Sequence, residues 1–318
     1  MNNILKSVNI CTIGGGTGSS VLLRGLKNCT DFLTAIVTVS DDGGSSGILR
    51  KELGVLPPGD FRNCVAALSD SENIIKELFD YRFDQGKGLK GHSLGNLLIA
   101  AMSDITGNFE EGLNQSAKIL GAKGTVLPSS LDDIVLQAKL TDGSQVNGES
   151  LIPLKKGKIC SVNLNPESAK GTDSAINALL KADLIIVGPG SLYTSLIPPL
   201  LVKDLTNVIK ESSALKIYIC NVATQKGETD GFSVYDHIVA IEQHTYKGIF
   251  DYIVADENDN TPITTHDETP ITISKNDQDN PKVLQFDIKS AEHSLRHDSN
   301  KLSNCIKKIY NLWINSSN

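Results

Sequence analysis

The chain has 318 residues, 40% of them hydrophobic and 21% charged, with a net charge of −7 and a pI near 5.4. These values describe an ordinary globular protein and argue against a nucleic-acid or membrane-surface binder, since either usually carries a basic patch. No apolar stretch approaches the ~20 residues of a membrane span, MNNILKSVNIC lacks a signal-peptide layout, and six scattered cysteines without a C-x-x-C pair are expected as reduced thiols of a cytoplasmic protein.

Short apolar runs alternate with helical patterns along the chain. Strands are predicted at Val8–Ile13, Ala35–Val39, Leu184–Val187, Ile217–Asn221 and Tyr252–Ala255, each nearly continuously apolar, as in parallel strands covered on both faces. Helices are predicted at Ser19–Leu26, Phe61–Leu68, Ile74–Phe79, Leu94–Met102, Glu110–Ile119, Ser174–Leu180, Leu200–Lys210 and Val234–Glu242. The alternation predicts a single α/β domain over residues 1–318, with a doubly wound, mostly parallel, Rossmann-like sheet. Residues 124–165 break the rhythm. Turn signals at Asp142–Gly143 and Asn147–Gly148 between β-like runs predict a small antiparallel β insertion there. A polar tail, Thr261–Asp287, ends in a strand at Val283–Ile288, and a last helix, Ser299–Leu312, is expected to pack Trp313 onto the body.

The chemistry gathers where strands end. In NICTIGGGTGSS, Gly14, Gly15, Gly16, Thr17 and Gly18 turn a strand into a helix. Glycine lets backbone N–H groups close on a ligand, and a helix N-terminus attracts negative charge. The stretch is neither a full G-x-G-x-x-G, because Ser19 stands at the third glycine, nor a P-loop, which needs G-K-[ST]. In TAIVTVSDDGGSSGILR, Asp41 and Asp42 follow the second strand. Such acids suit ribose hydroxyls or a hard cation such as Mg²⁺, while Ser45 and Ser46 add hydroxyls to a glycine-rich loop. In LPPGDFRN, Asp60 is expected as an N-cap. Arg62 and Asn63 sit in the first helical turn, where a cation opposes the dipole and is better explained by a phosphate partner. In GHSLGN, His92 and Asn96 open another helix. His92 fits a general acid–base, a phosphate donor or a packed core histidine equally. Gly188, Pro189, Gly190 and Ser191 form a second anion cradle, and Asn221 and Gln225 follow the next strand, where they can face a base or sugar. All these loops are expected on the carboxyl edge of the sheet.

Together GGGTGSS, SDDGGSSGILR, PPGDFRN, GHSLGN, GPGSLYTS and NVATQKGETDGFS resemble the ordered motifs of the gluconeogenesis factor family. This is the YvcK branch of a superfamily shared with 2-phospho-L-lactate transferase, the CofD branch. The resemblance covers roughly residues 8–312. The transferase branch is known for H/Y-G-L and P-D-x-D after its acid pair. This chain has Gly-Ser-Ser-Gly and P-P-G-D-x-R-N, which favours the gluconeogenesis-factor branch. The resemblance implies a nucleotide-sugar ligand of the UDP-N-acetylglucosamine kind, or another nucleoside diphosphate, and a role in cell shape and wall synthesis on gluconeogenic carbon. Protein partners in cell-wall regulation and a homodimer fit the same reading. It also makes Arg296, in SLRHDSNKL, a diphosphate partner.

Two functions follow. In a binding regulator, the glycine loops and Arg296 hold the diphosphate and no turnover is needed. In a transferase, Asp41 or Asp42 carries Mg²⁺, and Arg62 and His92 stabilise or protonate the transferring phosphate. An NAD-dependent enzyme is a third reading, carried only by Gly14–Gly18 and Asp41.

Overall fold

A computed structural model describes residues 3–70, 73–155, 157–257, 269–278, 280, 282–293 and 295–317. Ten strands are present among them: β1 Asn9–Gly14, β2 Phe32–Val37, β3 Thr125–Pro128, β4 Val135–Leu140, β5 Gln145–Asn147, β6 Ile159–Asn165, β7 Leu184–Val187, β8 Leu215–Ile219, β9 Tyr252–Asp256 and β10 Val283–Phe286. The first helices are α1 Gly16–Leu26, α2 Gly44–Leu53, α3 Gly59–Leu68, α4 Asn73–Asp80, α5 Leu94–Thr106 and α6 Phe109–Ile119. They are followed by α7 Asp173–Leu180, α8 Ile197–Leu201, α9 Lys203–Glu211, α10 Val234–His244, α11 Lys275–Gln278 and α12 Ser299–Ser317.

Seven strands form one sheet in the order β10-β9-β8-β7-β1-β2-β3, and every pairing in it is parallel. This is the doubly wound arrangement that the apolar runs predict. All four residues of β7, and the last five of β1, are buried, because helices cover both faces of a parallel sheet. Helix α1 docks Leu22, Leu23 and Leu26, each fully buried, and packs against α3 and α12. Burying each such leucine is worth roughly 1.5–3 kcal/mol. Trp313 does pack against the core.

Three expectations change. The β insertion starts later than residue 124: Thr125–Pro128 pairs with β2 in the main sheet, and the separate antiparallel sheet is β5-β4-β6 alone. The glycine-rich Gly43–Gly47 stretch is not a loop. Gly43 precedes α2, and Gly44 to Gly47 form its first turn. The helix expected at Leu200–Lys210 is two helices, α8 and α9, separated by Val202 in an extended conformation. Of the polar tail, residues 261–268, 279 and 281 lie outside the described residues.

Registry sets the site. Ile13 of β1 lies level with Ile36 of β2 and Val187 of β7, and Val187 with Tyr218 of β8. The loops leaving β1, β2, β7 and β8 therefore share one rim. Between β1 and β7 the chain's winding direction reverses, which opens the crevice where such sheets bind ligands.

Candidate functional site

A hollow of about 200 Å³ occupies that crevice. Gly15, Gly16, Thr17 and Gly18 line one wall, Gly190 and Ser191 the opposite wall, and Asn221, Gln225 and Arg296 the rest. Gly14, Gly188 and Pro189 shape the turns behind it. The two glycine loops touch. A Cβ at Gly18 would lie 2.7 Å from the Pro189 carbonyl carbon and 3.0 Å from the Gly190 nitrogen. Gly16 has φ +65, a conformation that L side chains rarely adopt. Helix α1 has no side-chain cap, so its first N–H groups are open to an anion apart from the one Gly16 gives to Asp60.

Asn221 does more than face the hollow. Its Oδ1 accepts the Gly190 N–H at 3.1 Å, and its Nδ2 donates to the Gly190 carbonyl at 2.8 Å and to Gln225 Oε1 at 3.3 Å. Gln225 Nε2 donates to Ser191 Oγ at 2.7 Å. These amides, expected to read a base or sugar, are engaged in fixing the β7 loop. The Arg296 segment is pinned from below: His297 Nε2 donates to the Cys220 carbonyl at 3.1 Å. Burial, with help from Arg296, drops the His297 pKa to about 4, so the ring is neutral and acts as a strut.

The other expected residues gather in a second hollow of about 220 Å³, lined by Asp41, Ser45, Ser46, Arg62, Asn63 and Asn96, with Asp60 and Arg82. Asp41 Oδ1 accepts the Gly43 N–H at 2.9 Å. Asp41 lies among the second-hollow residues and is not one of those lining the glycine-loop hollow, where a ribose grip would place it. Burial, and secondarily Asp42, raises its pKa. Asp42 turns elsewhere, its Oδ1 accepting the Ser150 N–H at 2.8 Å. The two acids therefore bond to different segments, Asp41 to the start of α2 and Asp42 to the insertion. Among the described residues no group of three or more His, Cys, Asp or Glu is placed to hold a metal ion. His92 lines neither hollow. It is 5% exposed and its Nδ1 lies 2.9 Å from Ser45 Oγ, behind the wall.

Asp60 joins the two hollows. It is not the N-cap of α3, whose cap position is Pro58. It lines the second hollow while accepting an N–H from Gly16 of the first, and burial raises its pKa to about 6. Two further acids stand near the site with no role assigned to them by the sequence motifs, although Glu228 follows the same strand as Asn221 and Gln225. Glu149 lies in a 3₁₀ turn of the insertion. Its pKa rises to about 8 by burial and then by the nearby charges of Asp41, Glu228 and Asp60. Glu228 accepts from Thr194 Oγ1 at 3.1 Å and from the Tyr193 N–H at 3.3 Å, and burial lifts it to about 7. A buried glutamate after Gln225 left a trace in TQKGETDG. Glu149 left none, because only the folding of the insertion brings it here.

Fold and rim thus define an open, doubly wound α/β protein that offers backbone donors at its switch point. The model of the family 2-phospho-L-lactate transferase CofD matches residues 10–296, and the chain belongs to that family. It is 52% identical over 250 residues to the gluconeogenesis factor of Halalkalibacterium halodurans, covering 79% of this chain and 78% of the relative. It is 50% identical over 250 residues to that of Bacillus subtilis, covering 79% of each. A relative from Nostoc sp. is 56% identical over 239 residues, 75% of this chain and 52% of the relative, so the chain spans about half that protein's length. A crystal structure of a UPF0052 family member from Bacillus halodurans superposes with a TM-score of 0.89 at 45% identity, covering 95% of this chain and 99% of that one. Among the described residues no helix is long and apolar enough to cross a membrane.

Proposed function

We propose that the chain is a nucleotide-sugar-binding regulator, a gluconeogenesis factor whose ligand is of the UDP-N-acetylglucosamine kind and whose occupancy is read by proteins of cell-wall synthesis and cell shape. One observation carries the reading: two glycine loops and Arg296 surround a single hollow at the switch point. Backbone N–H groups of α1 and the Arg296 guanidinium supply the donors a pyrophosphate needs. The hollow is smaller than the usual 300–1,000 Å³ of a small-molecule site, so the sugar of such a ligand projects along the rim.

Calorimetric titration with UDP-N-acetylglucosamine, UDP, GDP and NAD, each with and without Mg²⁺, tests it. The expected result is preferential binding of the uridine sugar, weakened at least tenfold by Arg296→Gln, with no monophosphate released. Absence of binding by any uridine compound refutes the reading. A transferase reading is favoured by the second hollow beside the first. Release of a nucleoside monophosphate that depends on an added alcohol would establish it in place of the regulator.

A further inference from the structure

Three helices begin at the second hollow. Ser45 and Ser46 lie in the first turn of α2, Asn63 early in α3, and Asn96 in the first turn of α5. The α5 start is closed by its own Ser93, which accepts the Asn96 N–H at 3.2 Å. The starts of α2 and α3 have no such capping side chain of their own, although Ser46 Oγ takes the Gly59 N–H at 3.0 Å. A helix of this length carries a partial positive charge at its N-terminus and unsatisfied N–H groups in its first turn.

Two cations stand on the same hollow. Arg62 and Arg82 both line it. Burial lowers the Arg62 pKa, and the neighbouring Arg82 charge adds to this against the opposing pull of Asp80 and Asp60. The Arg62 Nε is inaccessible and has no hydrogen-bond partner. Asn96 is 2% exposed, and its Oδ1 also has no partner, while its Nδ2 donates to Ser45 Oγ at 3.1 Å. The orientation of an amide is assigned from its partners. Turned over, Asn96 accepts from Ser45 and keeps an N–H for a ligand. A buried side chain with a free polar atom, in a hollow with two repelling guanidiniums, is costly unless something completes it.

We propose that this hollow is a subsite for the phosphate or carboxylate oxyanion of a second small molecule, held by Arg62, Arg82 and the first turns of α2 and α3. The occupant is an anion. Two guanidiniums and the starts of α2 and α3, which lack capping side chains of their own, face it. Two wall acids, Asp41 and Asp60, aim at the Gly43 and Gly16 N–H groups and offset part of the arginine charge, so the helix-start N–H groups share the holding of the anion. The inference does not depend on which nucleotide fills the first hollow.

Equilibrium dialysis of the intact chain against radiolabelled inorganic phosphate tests it, comparing wild type, the double variant Arg62→Gln/Arg82→Gln, and Arg296→Gln. The expected result is a phosphate site weakened at least tenfold in the double variant and retained in Arg296→Gln. Tungstate soaked into crystals should give an anomalous peak among Ser45, Asn63 and Arg62. Unchanged phosphate binding in the double variant, no phosphate binding at all, or a tungstate peak confined to the Gly18–Gly190 crevice overturns the proposal. Should the double variant fail to fold, Asn63→Asp decides. This near-isosteric change adds a negative charge, and the same loss is expected. Displacement of phosphate by phosphoglycolate at concentrations tenfold below those of glycolate assigns a phosphate ester, and the reverse order a carboxylate.

Discussion

The contact between the two glycine loops makes Gly18→Ala the most direct perturbation of the switch point. The added methyl would lie 2.7 Å from the Pro189 carbonyl carbon, 3.0 Å from the Gly190 nitrogen and closer still to the Pro189 oxygen. Ordinary contact begins near 3.4 Å, so the loops must separate by about 0.7 Å at the carbonyl carbon. Backbone sits on both sides, and no flexible side chain can yield. Overpacking of this kind costs about 1–3 kcal/mol. Gly18 lies within α1, so alanine returns up to about 1 kcal/mol of helix preference. The net is a loss of about 1–2 kcal/mol, which thermal unfolding reads as a fall of a few degrees in Tm, at 2–4 °C per kcal/mol for a domain of 150–250 residues. Parting the loops also spoils any anion cradle shared between them, so nucleotide affinity should fall at least tenfold. Thr17→Ala, an exposed neighbour, should leave Tm within about 0.5 kcal/mol equivalent. A Gly18→Ala protein with wild-type Tm would show that the loops do not touch and would remove the basis for the shared hollow.

Asn221→Ala removes two bonds to Gly190 and orphans that residue's N–H and carbonyl. A loss of about 2–4 kcal/mol is expected in urea unfolding, together with weaker nucleotide binding in the calorimetric titration, whereas a loss under 1 kcal/mol would mean the amide is not holding the loop. Glu149 has a folded pKa, about 8, above its ordinary 4.5. The folded state therefore binds the extra proton between those values, and this group makes stability fall as pH rises from about 4.5 to 8. Glu149→Gln should raise Tm at pH 8 and leave it nearly unchanged at pH 4.5, and an equal shift at both pH values would contradict the assigned environment. Asp42→Ala frees the Ser150 N–H, so amide exchange at Ser150 should accelerate while β1 and β2 amides stay protected. Unaltered exchange at Ser150 would show that the insertion is held by other contacts.

The sequence was legible where local pattern and environment agree. β7 matches its apolar run end to end because LIIV is buried on both faces and bounded by polar residues. Helix α2 was missed because Gly43, Gly44 and Gly47 suggest a loop. Yet a Cβ at Gly47 would collide with the backbone of Asp42, so that glycine serves a tight helix start. β3 was misassigned to the insertion because its partner, β2, is distant in sequence, and no local signal distinguishes a sheet-edge strand from a meander. At the site, the glycine loops announced themselves by composition. The divergence of Asp41 and Asp42 did not, because it depends on Ser150, which reaches Asp42 only through the folded insertion. Asp60 was visible as an acid at a helix start, but its role required knowing that Gly16 lies opposite.

The two hollows have different physical origins. The first follows from winding. Strand order reverses between β1 and β7, the loops leaving those strands diverge, and any fold of this order opens a crevice there. The second follows from the connection between β2 and β3. One crossover helix suffices to join parallel neighbours, but here α2, α3, α4, α5 and α6 lie between them, and three of these point their N-termini at the same space beside the rim. Residues of this excursion can therefore change while β1, β7 and their loops keep their geometry. Substitutions at Asn63 or Arg82 should alter binding in the second hollow without altering binding in the first. Asp60 is the exception, since it lines one hollow while accepting an N–H from the other. Its replacement by Asn should therefore weaken nucleotide and phosphate binding in the same variant, and loss of only one would show that the two hollows are independent at this residue.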